Sequence, residues 1–390
     1  MNQRVEAIDA VRGFALFGIL LVNMVFFQFG TSANEKITFI FAADKGANWF
    51  INFFGSGNFV SLFSFLFGMS IIMLQGSVLK KEQRFFPIYT RRIILLLIFG
   101  YLHTTLIWIG DILFSYALMG ILLSVFINRK PKTLLIWFFI LLALKMFMAY
   151  PQGSTADQFE DFIPYIEKTQ HVHETGSYID HVIFRVTEDP FQYIDIPFSG
   201  PLAIVVIFAT MLLSMAPIFL LGMYVARKGW LFQIEEHLSL IKKTWLITTL
   251  FSLTIKIIAQ LTDQPIITML EDGLTPITMA LFYATSIILL VHAKKAPRLF
   301  QHMANMGKMS VTNYLMQSII ATTIFYAYGF GLFGELGISV GIVLTLVIYA
   351  AQLFASTYWL QKFQIGPFEY IWRLGTYWRK PAFRKKNKAS

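Results

Sequence analysis

The 390-residue chain is 56% hydrophobic and 16% aromatic but only 14% charged, whereas soluble domains carry about 25% charged residues. This balance excludes an ordinary soluble protein, and the absence of cysteine excludes disulfides and cysteine-ligated metal sites. The net charge of +10 comes from basic residues in short loops between apolar runs, as in membrane proteins, so we expect no nucleic-acid partner.

Ten apolar stretches are long enough to cross a bilayer, which requires roughly 20 residues per helix. They are approximately 8–29, 57–76, 91–109, 111–127, 133–150, 201–226, 243–261, 273–292, 308–328 and 338–361. The third and fourth stretches are joined by a tight turn at Gly110-Asp111, which predicts an antiparallel hairpin. We therefore predict an all-α polytopic transmembrane helix bundle, formed by residues 1–390 as a single membrane domain in contact with the lipid bilayer.

Basic residues predict the orientation of this bundle, because they concentrate in cytoplasmic loops. With the N-terminus inside, every second loop is basic, and so is the tail 374–390. The opposite side has only Lys36, Lys45, Lys168 and Arg185. Both termini are therefore expected in the cytoplasm, and residues 151–200 form an acidic extracytoplasmic loop.

That loop contains three of the seven histidines, including the sequence His171-Val172-His173-Glu174. The spacing differs from the i, i+4 pair of a helical zinc site. We expect no metal site here, and instead a solvated loop that can pack as a cap over the outer helix ends.

The first predicted helix has a polar stripe. Asp9 and Arg12 are three residues apart and can pair on one face, and Asn23 lies about three turns further along that face. Ionisable groups in a span are costly and therefore mark candidate functional sites. The stripe can hold an anionic substrate group, or it can be an interfacial anchor pair with an interhelical hydrogen bond.

The third predicted helix begins with Arg91-Arg92 and carries His103 in its outer half, with Asp111 two turns further on. A neutral imidazole beside a carboxylate can act as a general base. The alternative is a packed histidine, with Asp111 capping the next helix.

The ninth predicted helix carries a polar face that includes Asn313, Tyr314 and Gln317. Such a face points into the bundle, where it either binds a ligand or forms hydrogen bonds between helices.

Several motifs together resemble the YeiB family of bacterial membrane proteins, a family with a domain of unknown function. They lie in both halves of the chain and read Asp9-Ala-Val-Arg12-Gly13, Arg91-Arg92 with His103, Trp108-Ile-Gly110-Asp111, Ser310-Val-Thr-Asn313-Tyr314 and Gly366-Pro367-Phe368-Glu369. The resemblance covers nearly the whole chain and implies a multi-pass protein of the bacterial cytoplasmic membrane.

A more distant resemblance is to transmembrane acyltransferases of the heparan-glucosaminide acetyltransferase type. It rests on Asp9-x-x-Arg12-Gly13 followed by Asn23. It implies that these residues line a tunnel for cytosolic acyl-CoA, whose acyl group passes to an acceptor across the membrane. Those enzymes carry a catalytic histidine in the loop after the first helix, whereas residues 31–56 contain none. His103 is the nearest substitute.

Three functions are compatible with these features. The first is an acyl-group transferase with acyl-CoA as co-substrate and no resident cofactor, in which His103 and Asp111 are catalytic and Arg12, Arg91 and Arg92 bind the donor. The second is a transporter or exporter of a small or lipid-like molecule. The third is a non-catalytic sensor or scaffold. The sequence leaves open whether the chain assembles with copies of itself.

Overall fold

A computed structural model describes residues 3–30, 39–150, 156–188, 193, 201–231 and 233–385. Within them the chain is helical, apart from short turns, a 3-10 turn after α5 and one isolated antiparallel bridge. The helices are α1 (Gln3–Phe29), α2 (Asp44–Phe54), α3 (Asn58–Leu79), α4 (Phe85–Leu106), α5 (Leu113–Leu123), α6 (Pro131–Ala149), α7 (Ala156–Thr175), α8 (Tyr178–Thr187), α9 (Pro201–Lys228), α10 (Leu238–Ala259), α11 (Pro265–Gly273), α12 (Thr275–His292), α13 (Pro297–Lys308), α14 (Ser310–Phe325), α15 (Ile338–Lys362) and α16 (Pro367–Tyr377).

Eight segments of the described chain are long and apolar enough to cross a membrane. They are Glu6–Phe29, Asp44–Leu79, Phe85–Leu106, Pro131–Ala149, Phe208–Lys228, Leu238–Ala259, Thr275–His292 and Ile338–Lys362. The predicted all-helical polytopic bundle is therefore confirmed, and the chain is an integral membrane protein.

The two other predicted spans, 111–127 and 308–328, correspond to shorter helices. In the first, α5 begins only at Leu113, after residues that connect it to α4. In the second, a break at Met309 separates α13 from α14. The amide of Asn313 crosses this break and donates to the carbonyls of Met306 and Met309.

Several helices lie outside the predicted spans because their sequences are amphipathic rather than continuously apolar. They are α2, α7, α8, α11, α13 and α16. The interpretation of 151–200 as a solvated loop was wrong for its described part, since α7 and α8 form a helix pair there. The tail is also partly structured. Helix α16 extends to Tyr377, and the chain after it returns to the end of α15, where Gln364 N donates to the carbonyl of Phe383 and the Gln364 side chain donates to that of Arg384.

Helix α1 is the central element, packed against α3, α12, α13, α14 and α15. Glycines permit its closest approach to α13. A Cβ atom built on Gly307 would lie 1.9 Å from the carbonyl oxygen of Asp9, and one on Gly13 would lie 2.1 Å from that of Met303. Small residues allow such backbone contact between helices in a membrane. The crossing holds Asp9 and Arg12 beside the start of α14.

Helices α7 and α8 cover the end of the bundle where α14 finishes. The backbone N–H of Ala327, just after α14, donates to the carbonyl of His173 at 2.9 Å. The rings of His173 and Tyr326 stack with centroids 4.0 Å apart, and His181 stacks on both. Arg185 reaches the carbonyl of Thr105 at the end of α4. We call this helix pair the cap.

Candidate functional site

A cavity of approximately 490 Å³ opens at the end of the bundle opposite the cap. It is lined by residues of α1, α3, α4, α5, α13, α14 and α16 and of the segments beside them. Gln364 and Arg373 on its lining are exposed, whereas Tyr314 is 2% exposed. The cavity therefore has a mouth beside α16 and a closed end at Tyr314. Its volume is in the range of small-molecule sites.

The mouth is basic. Four basic side chains, Arg12, Arg92, Lys308 and Arg373, share the lining with two acidic ones, Asp9 and Glu369. Asp9 Oδ1 accepts a 2.8 Å hydrogen bond from Arg12. The excess of positive charge makes this mouth suited to an anion, because arginine binds phosphate and carboxylate groups through paired N–H donors.

Glu369 faces inward from the first turn of α16 and caps the N-terminus of α14. Its carboxylate accepts from the backbone N–H groups of Val311 and Thr312 at 2.8 and 3.0 Å and from the Thr312 hydroxyl at 2.5 Å. Burial raises the pKa of this carboxyl, and the three hydrogen bonds oppose that shift. A carboxylate is favourable at a helix N-terminus, where unpaired N–H groups concentrate. Glu369 thus holds α16 against the cavity.

Beyond the mouth the walls are mainly apolar and aromatic. They are formed by Phe63, Leu66, Phe67, Leu96, Ile112, Leu113 and Tyr116. A ligand that fills the cavity therefore needs an anionic group at one end and a slender, largely uncharged part at the other.

The closed end leads to the candidate base. Tyr314 Oη accepts from Ile112 N at 3.3 Å and lies 3.5 Å from Asp111 Oδ1. Asp111 Oδ1 is 2.9 Å from His103 Nδ1, and both side chains are fully buried. The imidazole is turned so that neither nitrogen makes a well-aligned hydrogen bond in this structure, although Nδ1 is within hydrogen-bond distance of Asp111. Asp111 Oδ2 also accepts from Phe114 N, so it stabilises the start of α5 as well.

The structure brings three of the predicted binding residues, Asp9, Arg12 and Arg92, together at the mouth. Arg91 does not line the cavity. Its guanidinium lies 4.5 Å from the ring centroid of Trp378 on the surface, whereas that of Arg92 lies over Trp372. Consecutive residues on a helix point about 100° apart, so only one of the two arginines can face the cavity.

Asn23, Asn313 and Gln317 also lie outside the cavity lining. Asn23 is eleven residues beyond Arg12, about 16 Å along α1, and so lies past the closed end. Asn313 and Gln317 face α15, where their amides donate to Ser356 Oγ and to the side-chain oxygen of Gln352. These two residues therefore form hydrogen bonds between helices, which is the second of the two interpretations given for the polar face.

The sequence did not single out Lys308, Glu369 or Arg373 as site residues. Glu369 and Arg373 follow Gly366-Pro367, a typical helix start, which could have indicated a helix with one acidic and one basic residue a turn apart. The contact of Glu369 with Val311 and Thr312, nearly sixty positions earlier, could not be predicted from the residues around Glu369. Tyr314 belonged to the predicted polar face, but its position at the end of the cavity was not foreseen.

The cap holds a second group of titratable residues, stacked on Tyr326 just after α14. Burial lowers the pKa of His173 well below its ordinary value, and the nearby Arg185, together with His181 whenever that ring is protonated, lowers it further. Burial and Arg185 lower the pKa of His181 to about 4. Both imidazoles are therefore neutral at pH 7. Among the described residues no group of three or more histidines and carboxylates is placed to hold a metal ion.

Comparison with known proteins places these residues in a family. The chain is 33% identical to the uncharacterized protein YxaH of Bacillus subtilis (strain 168), over 99% of this chain and 98% of that protein. It is 26% identical to the uncharacterized protein YeiB of Escherichia coli (strain K12), over 95% and 96%. The chain belongs to the YeiB family. A family model described as a protein of unknown function, DUF418, matches residues 225–379. That part of the YeiB-family chain includes Lys308, Tyr314, Glu369 and Arg373.

Proposed function

We propose that the protein transfers an acyl group from a cytosolic acyl-CoA to an acceptor on the other side of the membrane. The observation that supports this is one continuous series of contacts. It runs from the basic mouth along the apolar walls to Tyr314, and from there to Asp111 and His103. By the charge-based orientation the mouth faces the cytoplasm and His103 lies toward the outside.

The mouth suits the phosphates of coenzyme A. Arg12, Arg92, Lys308 and Arg373 surround it from four different helices, so an anion there can be bound from several directions. The apolar walls beyond it suit the uncharged pantetheine arm, which brings the thioester to Tyr314. The cavity therefore fits the two ends of a donor whose charge and reactive group are far apart.

His103 acts as the general base in this scheme. When its Nδ1–H turns to donate to Asp111, which lies 2.9 Å away, its Nε2 becomes the basic nitrogen. Nε2 takes the proton of an acceptor hydroxyl or amine as that group attacks the thioester carbonyl. The carbon–sulfur bond breaks, the thiolate leaves, and the proton passes from His103 to the thiolate to give free CoA and the acylated acceptor.

Both approaches to His103 are closed in this structure. Tyr314 separates the imidazole from the cavity, with their ring centroids 5.3 Å apart, and the cap lies over the other side. Productive binding requires Tyr314 to rotate toward the donor and the cap to admit the acceptor. Closure of both sides protects the thioester from hydrolysis between turnovers.

The test is donor binding and CoA release by purified protein in liposomes of total bacterial lipid, with an extracytoplasmic extract as acceptor source. The chain has no cysteine, so a thiol reagent detects released CoA without signal from the protein. We expect acyl-CoA to raise the unfolding temperature and His103→Ala to lower CoA release about 10²- to 10⁴-fold. His237→Ala is the matched control, because the His237 ring hydrogen-bonds to the backbone carbonyl of Gln233 and does not line the cavity.

Asp111→Asn should lower the rate while acyl-CoA still raises the unfolding temperature. The proposal fails if no acyl-CoA protects the protein, or if His103→Ala releases CoA as fast as His237→Ala. Appearance of intact acyl-CoA inside sealed liposomes, without CoA release, would indicate a transporter instead.

A further inference from the structure

Two tyrosine hydroxyls line the inner part of the cavity, and they are held differently. Tyr116 Oη lies 2.8 Å from Ser64 Oγ, an ordinary distance for a hydrogen bond between two hydroxyls. The Tyr314 hydroxyl has longer contacts, 3.3 Å from Ile112 N and 3.5 Å from Asp111 Oδ1. Tyr314 is therefore the more weakly held of the two, and only long hydrogen bonds oppose the rotation that the proposed function requires of it.

Tyr314 also shares an acceptor with the candidate base. Asp111 Oδ1 accepts from the Tyr314 hydroxyl at 3.5 Å and lies 2.9 Å from His103 Nδ1. When the tyrosine turns toward a donor in the cavity, this oxygen is left to His103. A carboxylate that accepts from one ring nitrogen makes the other nitrogen more basic. One movement thus turns a hydroxyl toward the donor and favours the basic form of His103.

We propose that Tyr314 is a catalytic residue whose hydroxyl donates a hydrogen bond to the thioester carbonyl oxygen of the acyl donor. The inference rests on the proposed function and names a further reacting group of the same site. As the acceptor attacks, the carbonyl π electrons move onto that oxygen, and Tyr314 donates to the resulting oxyanion without giving up its proton. When the carbon–oxygen double bond forms again, the carbon–sulfur bond breaks and the thiolate leaves. The thiolate takes its proton from His103.

The surroundings of the hydroxyl favour this role. Tyr314 is 2% exposed, and the lining beside it at Ile112 is apolar. A hydrogen-bond donor that meets a developing charge contributes more in a site without water than it does in water. Phenylalanine at this position would keep the ring, whose centroid lies 5.3 Å from that of His103, and would remove only the hydroxyl. Tyr314→Phe therefore separates the hydrogen bond from the packing.

The experiment compares Tyr314→Phe with the wild type in the CoA-release assay, with whichever of acetyl-, octanoyl- and palmitoyl-CoA the wild type consumes fastest. We expect kcat to fall about 10²- to 10³-fold, as for other single oxyanion donors. The dissociation constant of the same acyl-CoA, measured without acceptor, should change by less than about threefold, because the hydrogen bond strengthens only in the transition state. Tyr283→Phe is the matched control, since its buried hydroxyl donates to the carbonyl of Phe54 and does not line the cavity.

Thermal unfolding checks that both variants are folded. If kcat of Tyr314→Phe is within about threefold of that of Tyr283→Phe while His103→Ala is impaired, the role of Tyr314 is overturned and the proposed function stands. The same holds if Tyr314→Phe keeps its kcat at saturating acyl-CoA and loses only affinity, because the hydroxyl would then be part of the binding wall. If the wild type releases no CoA from any of the three esters, the proposed function fails, and the role of Tyr314 fails with it.

Discussion

Replacing Glu369 by alanine tests whether a single buried carboxylate holds α16 against the cavity. The substitution removes three hydrogen bonds, from Val311 N, Thr312 N and the Thr312 hydroxyl. It also leaves two backbone N–H groups at the start of α14 without their partner. Because α16 carries Arg373 and Trp372 on the cavity lining, loosening it should weaken binding of an anion as well as stability.

The expected loss of stability follows from these contacts. A hydrogen bond to a charged group contributes about 1.5 to 3 kcal/mol, so three of them predict a loss of about 4.5 to 9 kcal/mol. With an unfolding entropy of about 2 cal/mol/K per residue, a chain of 390 residues should lose roughly 5 to 11 °C in Tm. Glu369→Gln keeps one oxygen for the two N–H donors and should lose about a third of that amount.

The Tm values of the wild type, Glu369→Ala and Glu369→Gln are compared by thermal unfolding of the purified proteins in the same detergent. Glu335→Ala is the control, because Glu335 is exposed and does not line the cavity. Acyl-CoA should raise the Tm of Glu369→Ala less than that of Glu335→Ala. A Tm for Glu369→Ala within 1 °C of that of Glu335→Ala would refute the role given to this carboxylate.

Three further predictions concern other parts of the molecule. His173 and His181 are neutral in the folded protein but titrate near pH 6.5 in the unfolded chain, so the free energy of unfolding should fall as the pH drops from 6.5 toward 4. Unfolding measured from pH 7 to 5 should show a loss of about 2 kcal/mol for His181. This loss should be absent when both histidines are replaced by phenylalanine. Gly68→Ala should destabilise the protein by about 1 to 3 kcal/mol, because its Cβ would lie 2.1 Å from a backbone carbonyl of α9. Gly76→Ala on the same helix would meet nothing within 4 Å and should stabilise the protein by up to about 1 kcal/mol. Equal Tm values for the two variants would contradict the close contact between α3 and α9. A cysteine introduced at Ile179, which is 66% exposed in the cap, should react with a membrane-impermeant maleimide in intact cells. A fluorescent protein fused to the C-terminus should fluoresce in the cytoplasm of the same cells. The reverse pattern would invert the predicted orientation.

The bundle was predictable because long apolar runs have one stable state in a bilayer, a helix. The same criterion missed helices whose sequences alternate polar and apolar residues, as α16 does, because they lie at the edges of the bundle. The predicted span 308–328 begins within two residues of α14, but the hydropathy criterion missed α13 and the break at Met309 that separates the two helices. At that break the Asn313 amide donates hydrogen bonds to the carbonyls of Met306 and Met309. Hydropathy measures how apolar a segment is and gives no information about such hydrogen bonds.

The site was predictable only in part, for a related reason. A costly charge in a span identifies a candidate, and Asp9, Arg12 and Arg92 do lie together at the mouth. Helix periodicity also put Asn23 on the stripe of Arg12, but periodicity gives a direction and not the depth at which a cavity ends. The cavity ends at Tyr314, and this follows from contacts between segments some two hundred residues apart.

The position of His103 and Asp111 is the strongest reason to assign them chemistry rather than packing. A buried carboxylate and imidazole are costly in the bilayer, and replacing such a pair by apolar residues is often neutral or stabilising. Here both members of the pair contact Tyr314, which lines the closed end of the cavity. Asp111 also accepts from Phe114 N at the start of α5, so the substitutions of His103, rather than those of Asp111, separate chemistry from packing. If the proposed acyl transfer is correct, Tyr314 must move for this pair to reach a donor in the cavity, so His103→Ala should abolish CoA release without abolishing donor binding.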